Sequence, residues 1–169
     1  MSIKTVEYKG QTVPEFITRG NHARFILPTA QEVCKGKGLD IGCGKLEWAF
    51  PGAVPIDLSF NDEFHANNLP VYSRGFDYIF SSHLLEHIDN YVETLEYWFS
   101  QLKSGGVLFL YLPHPECKYW RPWNLRKHKH ILHPKDIEEI FADTLGITTG
   151  FVHHGCDPSY SYTAYGEKP

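Results

Sequence analysis

Two glycines flank a cysteine in Gly42-Cys43-Gly44, directly after the short apolar run Leu39-Asp40-Ile41. An acid, Asp57, ends the next apolar run, Ala53-Val54-Pro55-Ile56. Glycine adopts positive φ without steric penalty, so a ligand can lie against the backbone at such a turn. A carboxylate at the end of the following strand can accept hydrogen bonds from both hydroxyls of a ribose. The pair marks a site for an adenosine-containing cofactor. A dinucleotide fingerprint needs a third glycine three positions after Gly44, and Glu47 stands there instead. A carboxylate facing a pyrophosphate is electrostatically unfavourable. S-adenosylmethionine carries adenosine but no phosphate, and Asp40 beside the turn can engage its ammonium group directly or through a water. NAD is the weaker alternative, and a plain strand-to-helix turn is the purely structural one.

The second chemical feature is Ser81-Ser82-His83-Leu84-Leu85-Glu86-His87. Methyl transfer from a sulfonium is an in-line displacement, so a protein mainly has to align nucleophile and methyl. A hydroxyl nucleophile also needs a base, most often a histidine. His83 is the favoured base, with a wall of the cofactor pocket as its alternative role, and His114 and His128 are reserves. Glu86 and His87 read as structural residues that fix the loop into the next helix. The stretch from Glu116 to His130 carries Tyr119, Trp120, Trp123, Arg121, Arg126 and several lysines. Its aromatics can form a stacking wall, and its cations can hold an anionic or sugar-phosphate group. The alternative is a lid packed over the core by Trp120 and Trp123. His128, His130, His133, His153, His154 and Cys156 raise the question of a metal, but their spacings match no zinc motif. No metal site is expected.

These residues need elements to hold them. The chain has 169 residues, 42% hydrophobic and 21% charged, which suits one domain with a full core. A net charge of −4 gives no general attraction to nucleic acid or anionic lipid, and no nucleic-acid motif appears. No apolar run is long enough to cross a bilayer, and Met1-Ser2-Ile3-Lys4 does not open a signal peptide. Four cysteines without paired spacing fit reduced thiols, so a cytoplasmic location is expected. Strands are expected at Leu39–Ile41, Ala53–Ile56, Phe76–Phe80, Val107–Leu112, Ile147–His153 and Tyr160–Tyr165. Helical spacing predicts a helix from Asn90 to Leu102 and another from Lys135 to Leu145. The segment from Val13 to Val33 reads as partly helical, broken at Gly20 and Pro28. Alternating strands and helices give a doubly wound α/β fold with a mostly parallel sheet, and ligands on such sheets bind at the strands' carboxyl ends.

The run LDIGCG…DLS…LP…FDYIFSSHLLEHI…LKSGGVLFLYLP, from Gly38 to Pro113, resembles the class I, Rossmann-like S-adenosylmethionine-dependent methyltransferases, particularly short ones. The resemblance extends more loosely to Tyr162-Thr163-Ala164-Tyr165. It implies a seven-stranded sheet whose last strand is antiparallel. It implies a single domain over 1–169, with residues 1–35 as an N-terminal helical lid and 114–133 as a substrate-side insertion. By the same resemblance Asp40, Gly42, Cys43 and Gly44 border the methionine part, and Asp57 binds the ribose. Leu58 lines the adenine, and Asn68-Leu69-Pro70 stands where the family has Asp-Leu-Pro at the adenine amino group. Asn68 keeps an acceptor oxygen for that bond. Ser81 and His83 would face the sulfonium. Two departures stand out: Leu46 replaces the usual third glycine, and Pro51, Gly52 and Pro55 leave little room for a first helix. The insertion resembles, more weakly, a PxxxN…H stretch of sugar and polysaccharide methyltransferases, with Asn124 and His128 matching. The lack of an Asn-Pro-Pro-Tyr-like signature after the fourth strand favours an oxygen nucleophile. The expected activity is O-methylation of a small hydroxylated molecule such as a sugar or glycan precursor. A nicotinamide oxidoreductase and a non-catalytic cofactor-binding module are the rivals.

Overall fold

A computed structural model describes residues 4–120 and 127–169. The chain opens with a hairpin, β1 (Thr5–Tyr8) and β2 (Gln11–Pro14), turned at Lys9-Gly10 with both residues at positive φ. A short helix α1 (Glu15–Arg19), a 3-10 turn (His22–Phe25) and α2 (Leu27–Val33) follow. Gly20 does end α1, as the spacing predicted. Pro28 instead sits in the first turn of α2, where its missing N–H costs nothing, so it starts that helix rather than breaking one.

Six strands form the main sheet. They are β3 (Gly38–Ile41), β4 (Val54–Ile56), β5 (Phe76–Ser82), β6 (Leu102–Pro113), β7 (Gly150–Val152) and β8 (Ser161–Glu167), in the order β4-β3-β5-β6-β8-β7. The pairs β3–β4, β3–β5 and β5–β6 are parallel, and β8 runs antiparallel to both β6 and β7. The mostly parallel sheet with an antiparallel last strand is therefore present, with six strands among the described residues rather than seven. Residues 57–75, rich in Asn, Asp, Gly and Pro turn formers, contribute only an isolated bridge between His65 and Asn68, so β4 remains an edge.

The sheet is buried on both faces, which explains why its central strands are continuously apolar. On one face Leu39, Ile79, Leu108 and Leu110 pack with Leu95 and Trp98 of α3 (Tyr91–Ser100) and Ile137 of α4 (Pro134–Glu139). On the other face Tyr78, Phe80 and Phe109 pack with Phe50 and with Ala30 of α2. α3 presents Leu95, Trp98 and Phe99 inward at helical spacing. α4 begins with a capping box in which the His133 N–H donates to Asp136 Oδ2, and it passes into a π turn over Ile140–Thr144. The order places β3 between β4 and β5, so the chain reverses direction across the sheet at the carboxyl ends of β3 and β5. That is where an open α/β sheet binds ligands. Among the described residues no helix is long and apolar enough to cross a membrane.

Candidate active site

The turn after β3 is built around Gly42, whose φ is +85° and whose N–H donates to the Ile56 carbonyl at 2.7 Å. A Cβ there would lie 2.7 Å from the Leu84 side chain, so both conformation and space require glycine. Gly44, also at positive φ, lies against Trp48. The chain then makes only a 3-10 turn, Leu46–Trp48, in place of a long helix. Asp40, 1% exposed, accepts the Phe50 N–H at 2.7 Å. Burial, opposed by that bond and aided by nearby Asp57, pushes its carboxyl up to about 7. Burial likewise raises the Cys43 thiol to about 12, so it is an uncharged thiol.

A hollow of about 120 Å³ opens over this turn. Asp40, Gly42, Cys43, Gly44 and Trp48 form its floor, and Ser82 and His83 from the end of β5 form one wall. Asn21, His22 and Ala23, from the segment between α1 and α2, close it from above. Asp57 stands at its edge: Oδ2 accepts the Gly44 N–H at 2.7 Å and Oδ1 the Ser59 N–H at 2.8 Å. A carboxylate offers about four acceptor positions, so two remain. Leu58 is 64% exposed beside it. Asn68, exposed, gives its amide N–H to the Glu63 carbonyl and keeps its oxygen free, whereas Leu69 is buried in the core with its N–H donated to the Tyr97 hydroxyl. Ser81, expected at the cofactor, is turned inward: its hydroxyl donates to the Ile41 carbonyl at 2.8 Å and ties β5 to β3. Strand alternation gives the hollow to Ser82 instead.

His83 has left-handed backbone (φ +52°), and its N–H donates to the Tyr111 carbonyl. Its Nε2 lies 2.9 Å from the Ser161 hydroxyl and its Nδ1 3.7 Å from Glu86 Oε1. Its ring stacks on His22 with centroids 4.5 Å apart, and Trp120 stands edge-on to both rings. Burial lowers His83 well below the usual histidine range and lowers His22 to about 4, so both are neutral at pH 7. His128 lies behind this wall, 3.8 Å from Glu86 Oε1, and burial lowers it to about 4. Burial also raises Glu86 to about 8. The contacts around Glu86 therefore join neutral groups rather than ion pairs. His114 sits apart. Its Nε2 faces the His154 carbonyl at 3.2 Å, so that nitrogen carries the proton, and Nδ1 accepts the Glu116 N–H. Both nitrogens are thereby committed. It borders a separate open cleft of about 450 Å³ with Glu116, His133, Lys135 and His154.

Of the expected site residues, the hollow unites Asp40, Gly42, Cys43, Gly44 and His83, with Asp57 at its rim. His114 and His128 do not line it. Asn124, Trp123, Arg121 and Arg126 lie outside the described residues. Asn21, His22, Trp48 and Ser82 were missed. Only Ser82, beside two residues that were singled out, carried a local signal.

Buried polar atoms without partners fall in two groups among the described residues. Asn21 Oδ1, His22 Nδ1 and Ser82 Oγ belong to residues that line the hollow, and the rest belong to Glu86, His128 and His130. Orphaned buried polar atoms are uncommon, and in a cleft they call for a polar ligand.

Comparison with known proteins agrees with this geometry. Among proteins with curated descriptions, none matches the chain in sequence. Solved structures share its fold. An S-adenosylmethionine-dependent methyltransferase of Thermotoga maritima, described as a possible histamine N-methyltransferase, superposes with a TM-score of 0.62 at 15% identity, covering 86% of this chain and 90% of that one. A Haloferax volcanii methyltransferase in complex with the Trm112 activator gives 0.65 at 12% identity, covering 88% and 89%. The N-methyltransferase NodS of Bradyrhizobium japonicum, bound to S-adenosylhomocysteine, gives 0.60 at 14% identity, covering 92% of each. Residues 18–144 match the family described as Methyltransferase domain. The chain belongs to that family and is an S-adenosylmethionine-dependent methyltransferase.

Proposed function

We propose that this chain methylates a hydroxyl of a small molecule of the sugar or glycan-precursor class, and that His22 receives the hydroxyl proton. The observation that carries this reading is His22, which lines the roof of the hollow and whose buried Nδ1 has no partner. The cofactor supplies an electrophilic methyl on a sulfonium. In this reading Asp57 holds the ribose, Asp40 faces the positive charge, Asn68 meets the adenine amino group and Leu58 covers the ring. Gly42 to Gly44 let the methionine part approach the backbone. Asn21 Oδ1 and Ser82 Oγ are free to bond its polar groups. Ser81 and Leu69 support these residues from the sheet and the core. His83 is a wall, because its nitrogens face Ser161 and Glu86 rather than the hollow.

His22 is unprotonated at neutral pH, as a base must be. Burial disfavours its cation, but transfer neutralises the sulfonium as the imidazole gains its proton, so the net charge of the enclosed site does not change. The polar cleft beside His114, Glu116, Lys135 and His154 suits the remaining hydroxyls of such a substrate. Formation of S-adenosylhomocysteine across a panel of sugars, phenols, small acids and amines tests the reading. Turnover confined to amines overturns it. His22→Ala is expected to lower kcat about a hundredfold, at the low end for loss of a general base, with cofactor affinity changed far less. An unchanged kcat removes His22 from the reaction.

Asp40 predicts a pH dependence. With its carboxyl near 7, it is protonated in slightly acid solution, whereas a cation beside it favours the ionised form. Cofactor binding should then release a proton, and affinity should fall below pH 7 by up to about tenfold per pH unit. The sign for the free protein is opposite. A carboxyl raised on folding stabilises at low pH, and that contribution is lost as pH rises through 7. Calorimetric titration in two buffers of different ionisation enthalpy reads the proton directly. Binding without proton release excludes the contact between Asp40 and the cofactor's charge.

A further inference from the structure

Glu86 is fully buried, and neither carboxylate oxygen has a hydrogen-bond partner. Three imidazole nitrogens surround Oε1: His83 Nδ1 and His87 Nε2 at 3.7 Å and His128 Nε2 at 3.8 Å. None is close enough to donate a hydrogen bond. His87 is the informative one. Its Nδ1 lies 2.7 Å from the Lys127 carbonyl, which can only accept, so the proton is on Nδ1 and the Nε2 lone pair points at the carboxylate. The Glu86 carboxyl and the His87 lone pair thus face one another in a buried space beyond hydrogen-bond distance, an arrangement that an ion between them resolves, with the carboxyl proton released as the ion binds.

We propose that Glu86, His87 Nε2 and His128 Nε2 bind one divalent transition-metal ion of the zinc class. Their ligand atoms lie within 4.8 Å of one another. Zinc bonds of about 2.0–2.2 Å set neighbouring tetrahedral ligands roughly 3.4 Å apart, so the contacts of the two imidazoles to Glu86, at 3.7 and 3.8 Å, close by a few tenths of an ångström, and the imidazole pair, within 4.8 Å, closes by a side-chain shift. Two imidazoles and one carboxylate are a donor set suited to zinc, and three protein ligands leave a position open. The bond from His87 Nδ1–H to a backbone carbonyl is the outer contact that fixes a metal-binding imidazole in the required tautomer. The backbone builds the set deliberately. The Lys129 and His130 N–H groups both donate to the Glu86 carbonyl, which lays the segment carrying His128 over the turn carrying Glu86 and His87. The His87 and His128 rings stand nearly perpendicular, 4.7 Å apart, and both Nε2 atoms converge on Glu86 Oε1. His83, whose Nδ1 faces the same oxygen, separates this site from the cofactor hollow.

The test uses the full chain, stripped with a chelator and dialysed, then titrated with Zn²⁺ against a chromophoric competitor and separately with Co²⁺. One equivalent of Zn²⁺ per chain and visible Co²⁺ bands of low coordination number are expected. His87→Gln, at a partly exposed position, should weaken Zn²⁺ by more than the roughly 10–100-fold that loss of an outer contact costs. Glu86→Gln keeps the volume and adds a donor for the imidazoles, so it should fold, as circular dichroism would show, yet lose the ion. Glu116→Gln, in the separate group of His114, Glu116 and Cys156, should leave the Zn²⁺ stoichiometry and affinity as in the native chain. No stoichiometric binding by the native chain overturns the proposal. Binding that survives His87→Gln and Glu86→Gln overturns it equally. Neither result depends on which molecule is methylated.

Discussion

Asp57→Ala is expected to weaken S-adenosylmethionine binding by two to four orders of magnitude, since it removes two ribose hydrogen bonds of about 1.5–3 kcal/mol each to a charged acceptor. The carboxylate also organises the turn, because it accepts the Gly44 and Ser59 N–H groups while Ser59 Oγ donates to the Gly44 carbonyl. Part of the loss would therefore come from a turn that relaxes in the free protein. Asp57→Asn separates the two effects. One amide oxygen can still accept a backbone N–H, but the charge and the second acceptor are gone, so an intermediate loss is expected. Equilibrium binding of the cofactor to the folded variants decides the matter. Affinity within threefold of the native chain for Asp57→Ala would mean that Asp57 serves the turn alone.

The parts of this site that were legible in the sequence are those specified locally. Gly42, Asp40 and Asp57 sit at strand ends, and a two-residue glycine spacing beside an apolar run has few other uses. The strands β5 and β6 and the helix α3 were legible because their apolar periodicity is set by burial on two faces or one. Ser81 and Ser82 were harder. One step of register exchanges the residue that braces the sheet for the one that lines the hollow, and composition does not fix that step. His22 and Asn21 gave no signal, because they reach the site only when the segment between α1 and α2 folds back over β5. The same holds for Glu86 with His128, whose meeting depends on two backbone hydrogen bonds between distant segments. His87 read as a structural residue because nothing local reveals that its second nitrogen is free.

Trp98→Ala is expected to cost about 3–5 kcal/mol of stability, the range for emptying a large aromatic site in a core. The side chain is fully buried in α3, and its Nε1–H donates to the Ala66 carbonyl at 2.7 Å. Against a total of about 5–15 kcal/mol for a domain, this is a large fraction, and the denaturant midpoint should fall accordingly. The indole also connects stability to cofactor binding. The loop before β5 hangs on α3 by three bonds: Trp98 to Ala66, Thr94 Oγ1–H to Asn67 Oδ1 at 2.9 Å, and the Leu69 N–H to the Tyr97 hydroxyl at 2.9 Å. Asn68 lies among them. Trp98→Phe keeps much of the volume and removes one bond, so its stability cost should be nearer 1 kcal/mol, in line with the loss of a single hydrogen bond. If the loop positions Asn68 at the adenine, that variant should bind S-adenosylmethionine more weakly than its stability change predicts. A Trp98→Phe protein with native cofactor affinity would show that the loop holds its shape without the indole. A Trp98→Ala midpoint within about 1 kcal/mol of native would contradict the packing itself.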